Sequence, residues 1–371
     1  MATVYKGLLN SDKVSTRTLL HEAIPITGSI VSGTYVKAGT REEQNVKNFS
    51  HGLFQSVYDY PFLSSSANHI FDITMGYSSN SAMSSSTNLQ NEQKINMYNQ
   101  MAQVLMGHDH TGAIREFDKD GDLTGGTKLR EVFFINFARL LTKDEIKKGS
   151  FKLELGVDSP YANEEGPFNQ RILIADTNAA TSFKTNSPAG EYGILTASNQ
   201  TGTPMYSSGR DCGLIFYQAG IAVITASVFS TGSAYDGREG MLDTLPLSMS
   251  NISRDAPFLI ENLLTGTAIS GCADQFRHRL YDIDFNNTTE LNSTIYFCRA
   301  NHNDFNYSAN PTYLSSSQVR VKDKTLDEPV SYITTIGLYS DNNELLAVAK
   351  LSEPIKKTPS QEVTFRVRLD Y

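Results

Sequence analysis

The chain has 371 residues, with 32 Lys and Arg against 40 Asp and Glu, a formal charge of −8. That acidity removes any general attraction to nucleic acid or to an anionic membrane, and the longest strictly apolar run, residues 345–349, is far short of the ~20 residues of a bilayer-spanning helix. Hydrophobic residues make up 39% and aromatics 10%, with 18 Tyr and no Trp, so a packed core is expected rather than wholesale disorder.

Cys212, Cys272 and Cys298 are odd in number and form no CxxC, so neither a disulfide framework nor a zinc knot is expected, and each reads as a small buried hydrophobe. The N-terminal residues lack a basic segment followed by an apolar stretch, so no cleavable signal peptide is expected, and the sequons at Asn251 and Asn292 read as polar loop chemistry.

Residues 1–129 read as a mixed α/β region. Within it, residues 77–88 are rich in Ser and Asn and predict a loop, one that gains order only against a neighbouring molecule. The pair Thr87 and Gln90 fits a capping box for a helix over about 88–106. Ile95, Tyr98, Met101, Ala102 and Leu105 recur on one face of that helix, and Gly107 stops it.

Residues 130–371 read as a β-rich domain. Residues 131–139 are aromatic and β-branched, Thr142 with Glu145 suggests a helical turn ending near Gly149, and residues 151–155 alternate as a half-buried strand. Residues 157–212, rich in Ser, Asn, Gly and Pro, read as long loops or an insertion. Residues 213–229 form a hairpin around Gly220, and residues 332–351 a second one around Ser340–Asn343. The last strand alternates Val363, Phe365, Val367 and Leu369 with Thr364, Arg366, Arg368 and Asp370, which predicts one buried face with Phe365 in the core.

Four places carry residue types that could do chemistry. Counted from Glu116, a calcium loop would use Glu116, Asp118, Asp120, Gly121 and Leu123, but its twelfth position is Thr127 where a bidentate Glu is needed, so a polar turn is the better reading. His108 and His110 flank Asp109 with no third ligand assignable; after the helix stop they read as a turn, and His21, His51, His69, His278 and His302 stand alone. Cys212 beside Arg210, between Gly209 and Gly213, invites the idea of an activated thiol, yet it leads into an apolar strand and reads as structural. Residues 125–128 are a fragment of a phosphate loop, and no Walker A, dinucleotide fingerprint or nucleophile elbow is present. No catalytic, cofactor-binding or metal site is therefore assigned.

Four segments carry a resemblance: residues 143–153, residues 213–224, residues 298–312 and residues 332–350. In this order they resemble virion structural proteins of tailed bacteriophages, above all of marine, cyanophage-like contractile-tailed phages. The last also resembles a β-hairpin of tail-fibre and baseplate components. The resemblance covers roughly residues 130–371 and carries no catalytic residues. It implies a non-enzymatic subunit of the tail, baseplate or neck, located in the virion after assembly in the host cytoplasm. Its partners would be other virion proteins and copies of itself in a symmetric homo-oligomer. The alternative is a tail-fibre, receptor-binding or carbohydrate-active tail component. The expected fold is mainly β, with a β-sandwich-like C-terminal domain after the mixed N-terminal region.

Overall fold

The strand Glu131–Asn136 is apolar on both of its faces, and its place in the sheet explains why. In the computed structural model, which describes residues 5–26, 43–142, 144–156, 171–199, 210–229, 260–306, 314–315, 318–319 and 330–370, it lies well inside an antiparallel sheet. Ten strands follow one another as Leu280–Ala300, Lys152–Gly156, Arg171–Ala175, Gly190–Asn199, Arg210–Phe216, Ile221–Thr225, Glu131–Asn136, His69–Tyr77, Gln55–Tyr58 and Val46–Asn48. Mainly β is thus what the structure shows.

Both faces of that sheet are covered. Phe133, Ile135, Ile224, Ile73 and Met75 look toward the helices Ile260–Gly266 and Ile269–Arg279, and Phe133 stacks on Phe276 with ring centroids 4.5 Å apart. The alternate residues Val132, Phe134, Leu214, Phe216 and Val223 pack with Tyr98, Ala102 and Leu105 of the helix Asn91–Leu105. A strand buried on both faces has no polar side to show, hence its continuous apolar run.

Gly76 sets how closely that helix approaches. A Cβ there would lie 2.7 Å from the Tyr98 nitrogen and 2.8 Å from the Lys94 oxygen, so helix backbone rests directly on the strand. The predicted apolar stripe faces inward, and Gly107, at φ +73°, ends the helix as expected. Its start differs. Gln90 adopts a left-handed conformation and caps no helix of its own; its side-chain oxygen instead accepts from the Ile269 N–H at 2.9 Å, capping the helix Ile269–Arg279.

Other expectations are corrected. Residues 77–88 are ordered within the chain: successive turns link Ser81 to Ser78, Ser84 to Ser81 and Asn88 to Ser85, while the Ser81 hydroxyl bonds buried Glu131. Short Ser side chains satisfy one another and the backbone, so little apolar content is needed. Within 157–212, residues 171–199 hold the strands Arg171–Ala175, Lys184–Ser187 and Gly190–Asn199, and Ile172, Ile174, Leu195 and Ala197 are buried. Polar residues and glycines interleave with the apolar ones in and between these strands, which hid them; residues 157–170, residues 200–209 and Asn251 lie outside the described residues. Helical turn and strand exchange places around Thr142: Ala138–Leu141 is the turn, and Glu145–Ile146 is a strand. Asn292 lies in the strand Leu280–Ala300, not in a loop.

The chain divides into two compact units, His21–Thr289 and the pair Met1–Leu20 with Glu290–Tyr371, so residue 129 falls inside the larger unit. The antiparallel ladders of the smaller unit include two long ones. One pairs Ser293–Ala300 with the final strand Val363–Asp370; the other is the hairpin Ser331–Tyr339 with Leu345–Lys357. Its contacts are largely polar. Arg299 meets Asp12 at 3.1 Å, the Ser15 and Thr294 hydroxyls lie 3.2 Å apart, and the buried Lys357 ammonium donates to the His302 and Thr358 carbonyls and the Asn306 side chain. The final strand alternates as predicted, but Phe365 is only half-buried and Val367 alone on that face is buried.

Candidate functional site

The larger unit brings together a charged cluster that sequence spacing did not reveal. Arg277, in the last turn of its helix, is fully buried and contacts the Glu43 carboxylate; it also meets Asp274 Oδ1 at 2.7 Å. His278 Nε2 lies 3.6 Å from Glu43 Oε1 and its Nδ1 lies 3.7 Å from Asp274 Oδ2, while Gln55 Nε2 donates to Asp274 at 3.3 Å. Burial alone would raise the Glu43 carboxyl; the hydrogen bond from His278 and the charge of Arg277 outweigh it and hold the group well below the usual carboxylate range. Glu43, Asp274 and His278 could surround a cation. The guanidinium already supplies the positive charge at their centre, so the cluster works as a buried ion network. His278 was read as isolated because Glu43 is far away in sequence and Asp274, one helical turn before it, carries no metal spacing by itself.

The acidic loop takes a different register from the one expected. Asp118, Asp120 and Asp122 converge, whereas Glu116 turns to the Ser78 hydroxyl, to Asn80 at 3.1 Å and to Arg130 at 3.3 Å. Counted from Asp118, the twelfth residue is Leu129, buried and apolar. The loop joins two paired strands, Phe117–Asp118 and Lys128–Leu129, and not two helices. Lys128 Nζ sits 2.8 Å from Asp118 Oδ1, where it neutralises the most buried of the three carboxylates. Gly125 and Gly126 belong to this loop, both at positive φ, and cradle no phosphate-binding helix.

His108 and His110 are exposed in a tight turn organised by Asp109, whose Oδ1 accepts from the Thr111 and Ala113 N–H groups at 2.8 and 3.0 Å. Cys212 is fully buried, donates to the Leu195 carbonyl at 3.4 Å, and has its thiol pushed well up by burial, the opposite of activation. Burial likewise pushes Cys272 up to about 12. It neighbours Lys94, another buried cation that the sequence reading passed over: Lys94 Nζ donates to the Leu264 and Thr267 carbonyls, both at 2.7 Å, at the C-terminal end of the helix Ile260–Gly266. A lysine there satisfies carbonyls that the helix leaves open.

One carboxylate group stands on the sheet itself. Burial raises Glu154 and Asp282, which are cross-strand neighbours; Asp284 lies near, and Arg171 sits 3.4 Å from Glu154 and over the Tyr281 ring. These strands present Leu153, Leu155 and Ile283 to the core, so the acids occupy the opposite face.

The largest anomaly is in the smaller unit. Of 18 large apolar side chains exposed among the described residues, 13 belong to it, although it holds 102 of the 371 residues. Among the buried apolar side chains of the described residues, only Ala300 and Val367 are its own. The hairpin alone exposes Tyr332, Tyr339, Leu345, Leu346, Val348 and Ile355, with Leu346 69% exposed. Exposed apolar side chains gathered on one hairpin make it the candidate interaction face of the described residues.

No family model, no curated protein and no solved structure matches this chain.

Proposed function

We propose that this chain is a non-enzymatic structural subunit of a tailed-phage virion, acting in the tail, baseplate or neck, with virion proteins and copies of itself as partners. The observation that carries the reading is the exposure of apolar side chains in the smaller unit among the described residues. Its strands expose the side chains that would ordinarily be buried, and its hairpin is two-stranded, an arrangement that has little stability alone in water. Such a unit gains its missing core when subunits assemble, and a modest contact repeated around a symmetric assembly becomes strong. The resemblance of four segments to virion proteins supplies the setting. The densest chemistry in the larger unit, around Arg277, is already internally neutralised, which suits a scaffold better than a reaction centre.

Mass spectrometry of purified particles tests the reading: the chain is expected at multiple copies per virion, and deleting its gene should leave defective tails. Absence from particles would overturn it. So would turnover of a polysaccharide that is lost in a Glu154→Gln, Asp282→Asn double variant, because that would make the carboxylate pair on the sheet an acid–base site.

A further inference from the structure

The exposed strand edges of the smaller unit are not alike. A free edge presents unpaired N–H and C=O groups and invites another strand, and proteins that stay single guard such edges with charge or proline. Leu345–Lys357 carries Lys350, Glu353, Pro354 and Lys356; Val363–Asp370 carries Arg366, Arg368 and Asp370; Lys13–Ile26 carries Lys13, Arg17 and Pro25. Ser331–Tyr339 has nine residues with no charge and no proline. Among the described residues it pairs with Leu345–Lys357 on one side only. Its sequence, β-branched and aromatic, is the kind that adds to a sheet most readily.

We infer that the free edge of Ser331–Tyr339 pairs with the same strand of a second copy of this chain, antiparallel about a two-fold axis. Resting on the structural reading above, this names the partner and places the contact. Two features favour a copy over a different protein. The first is charge. The smaller unit carries 12 Lys and Arg against 11 Asp and Glu, whereas the larger carries 20 against 29. A near-neutral surface lets two copies meet, whereas the acidic larger unit repels its own kind. The second is the strand. Because it is uncharged throughout, no two-fold register opposes like charges, and with the axis at its centre, exposed Thr334 or Thr335 faces its own counterpart while the other lies one position away. Tyr332 and Tyr339, exposed on the same strand, add apolar cover at the joint.

Sedimentation of the full chain tests this with edge variants. Thr334 and Thr335 are both exposed, so Thr334→Lys with Thr335→Lys leaves the hairpin's own ladder in place while setting like charges across the joint. The charge-opposite variant carries Thr334→Glu and Thr335→Glu. The wild type is expected to sediment as a dimer or a multiple of one, each double variant as a monomer with an unchanged melting temperature of the larger unit. An equimolar mixture of the two variants should restore the dimer. A monomeric wild type at high micromolar concentration overturns the inference, as do variants that still associate like the wild type. Monomeric variants whose mixture stays monomeric would give the edge to another partner and also overturn it. Copy number in the particle is measured independently, so the virion reading stands or falls separately.

Discussion

The two units solve the stability problem in opposite ways. The larger one buries a sheet on both faces and seals its charges inside; the smaller one leaves its apolar residues outside and uses its buried positions for Asp12, Ser293, Thr294, Lys357 and Thr358. Burying one Phe, Leu or Ile side chain stabilises by about 1.5–3 kcal/mol, and that contribution dominates most folds. Among the described residues the smaller unit buries only Ala300 and Val367 of its apolar side chains, so they contribute little of it in a single chain. The contrast teaches that, among the described residues, the larger unit rests on burial within the chain and the smaller one on polar contacts.

The strongest challenge to that contrast is Arg277→Leu. It strands the Glu43 carboxylate in the interior and should cost about 3–5 kcal/mol in urea unfolding at neutral pH. The pH dependence carries a sign. The folded-state pKa of Glu43 is depressed, so its stabilisation is fully present above the ordinary Glu value of about 4.3 and is lost as pH falls through the folded value. The gap between wild type and variant should therefore be widest near pH 7, start to narrow below about pH 4 and close only once the pH has passed the depressed folded value; a gap that does not narrow at all by pH 3 would show that Arg277 acts through packing.

A matched pair sharpens the comparison. Phe133→Ala removes a ring stacked between sheet and helix and should cost about 3–5 kcal/mol. Leu346→Ala, on the exposed hairpin, should change single-chain stability by less than about 0.5 kcal/mol. Equal losses in dilute protein would erase the distinction between the units.

Smaller again is Gly76→Ala. The new methyl meets helix backbone at 2.7–2.8 Å, and displacing the helix should cost about 1–3 kcal/mol by thermal denaturation. Smallest is chelation: with Lys128 paired to Asp118 and Leu129 in place of the last ligand, EDTA should leave the melting temperature unmoved, and a clear drop would reveal a stabilising ion.

Local patterns, where they were strong, survive in the structure. The hairpin turns at Gly220 and Asn343, the helix stop at Gly107 and the alternation of the last strand depend on residues within a few positions of one another, and propensity and period are enough to specify them. What sequence by itself determined is therefore the strongly patterned strands and the turns between them, and not the weakly patterned strands within 171–199 or the strand Glu145–Ile146. Only the tertiary structure decided which faces are covered. Val363–Asp370 alternates as if half of it were core, yet Phe365 is only half-buried, while Glu131–Asn136 shows no alternation because two layers close over it. The same holds for Gln90, which caps a helix 179 residues away, and for Glu43 with Asp274 and Arg277, whose charges meet across more than 200 residues. Burial and ion pairing are properties of what lies opposite in space, and a side chain's own neighbours in sequence carry no record of that.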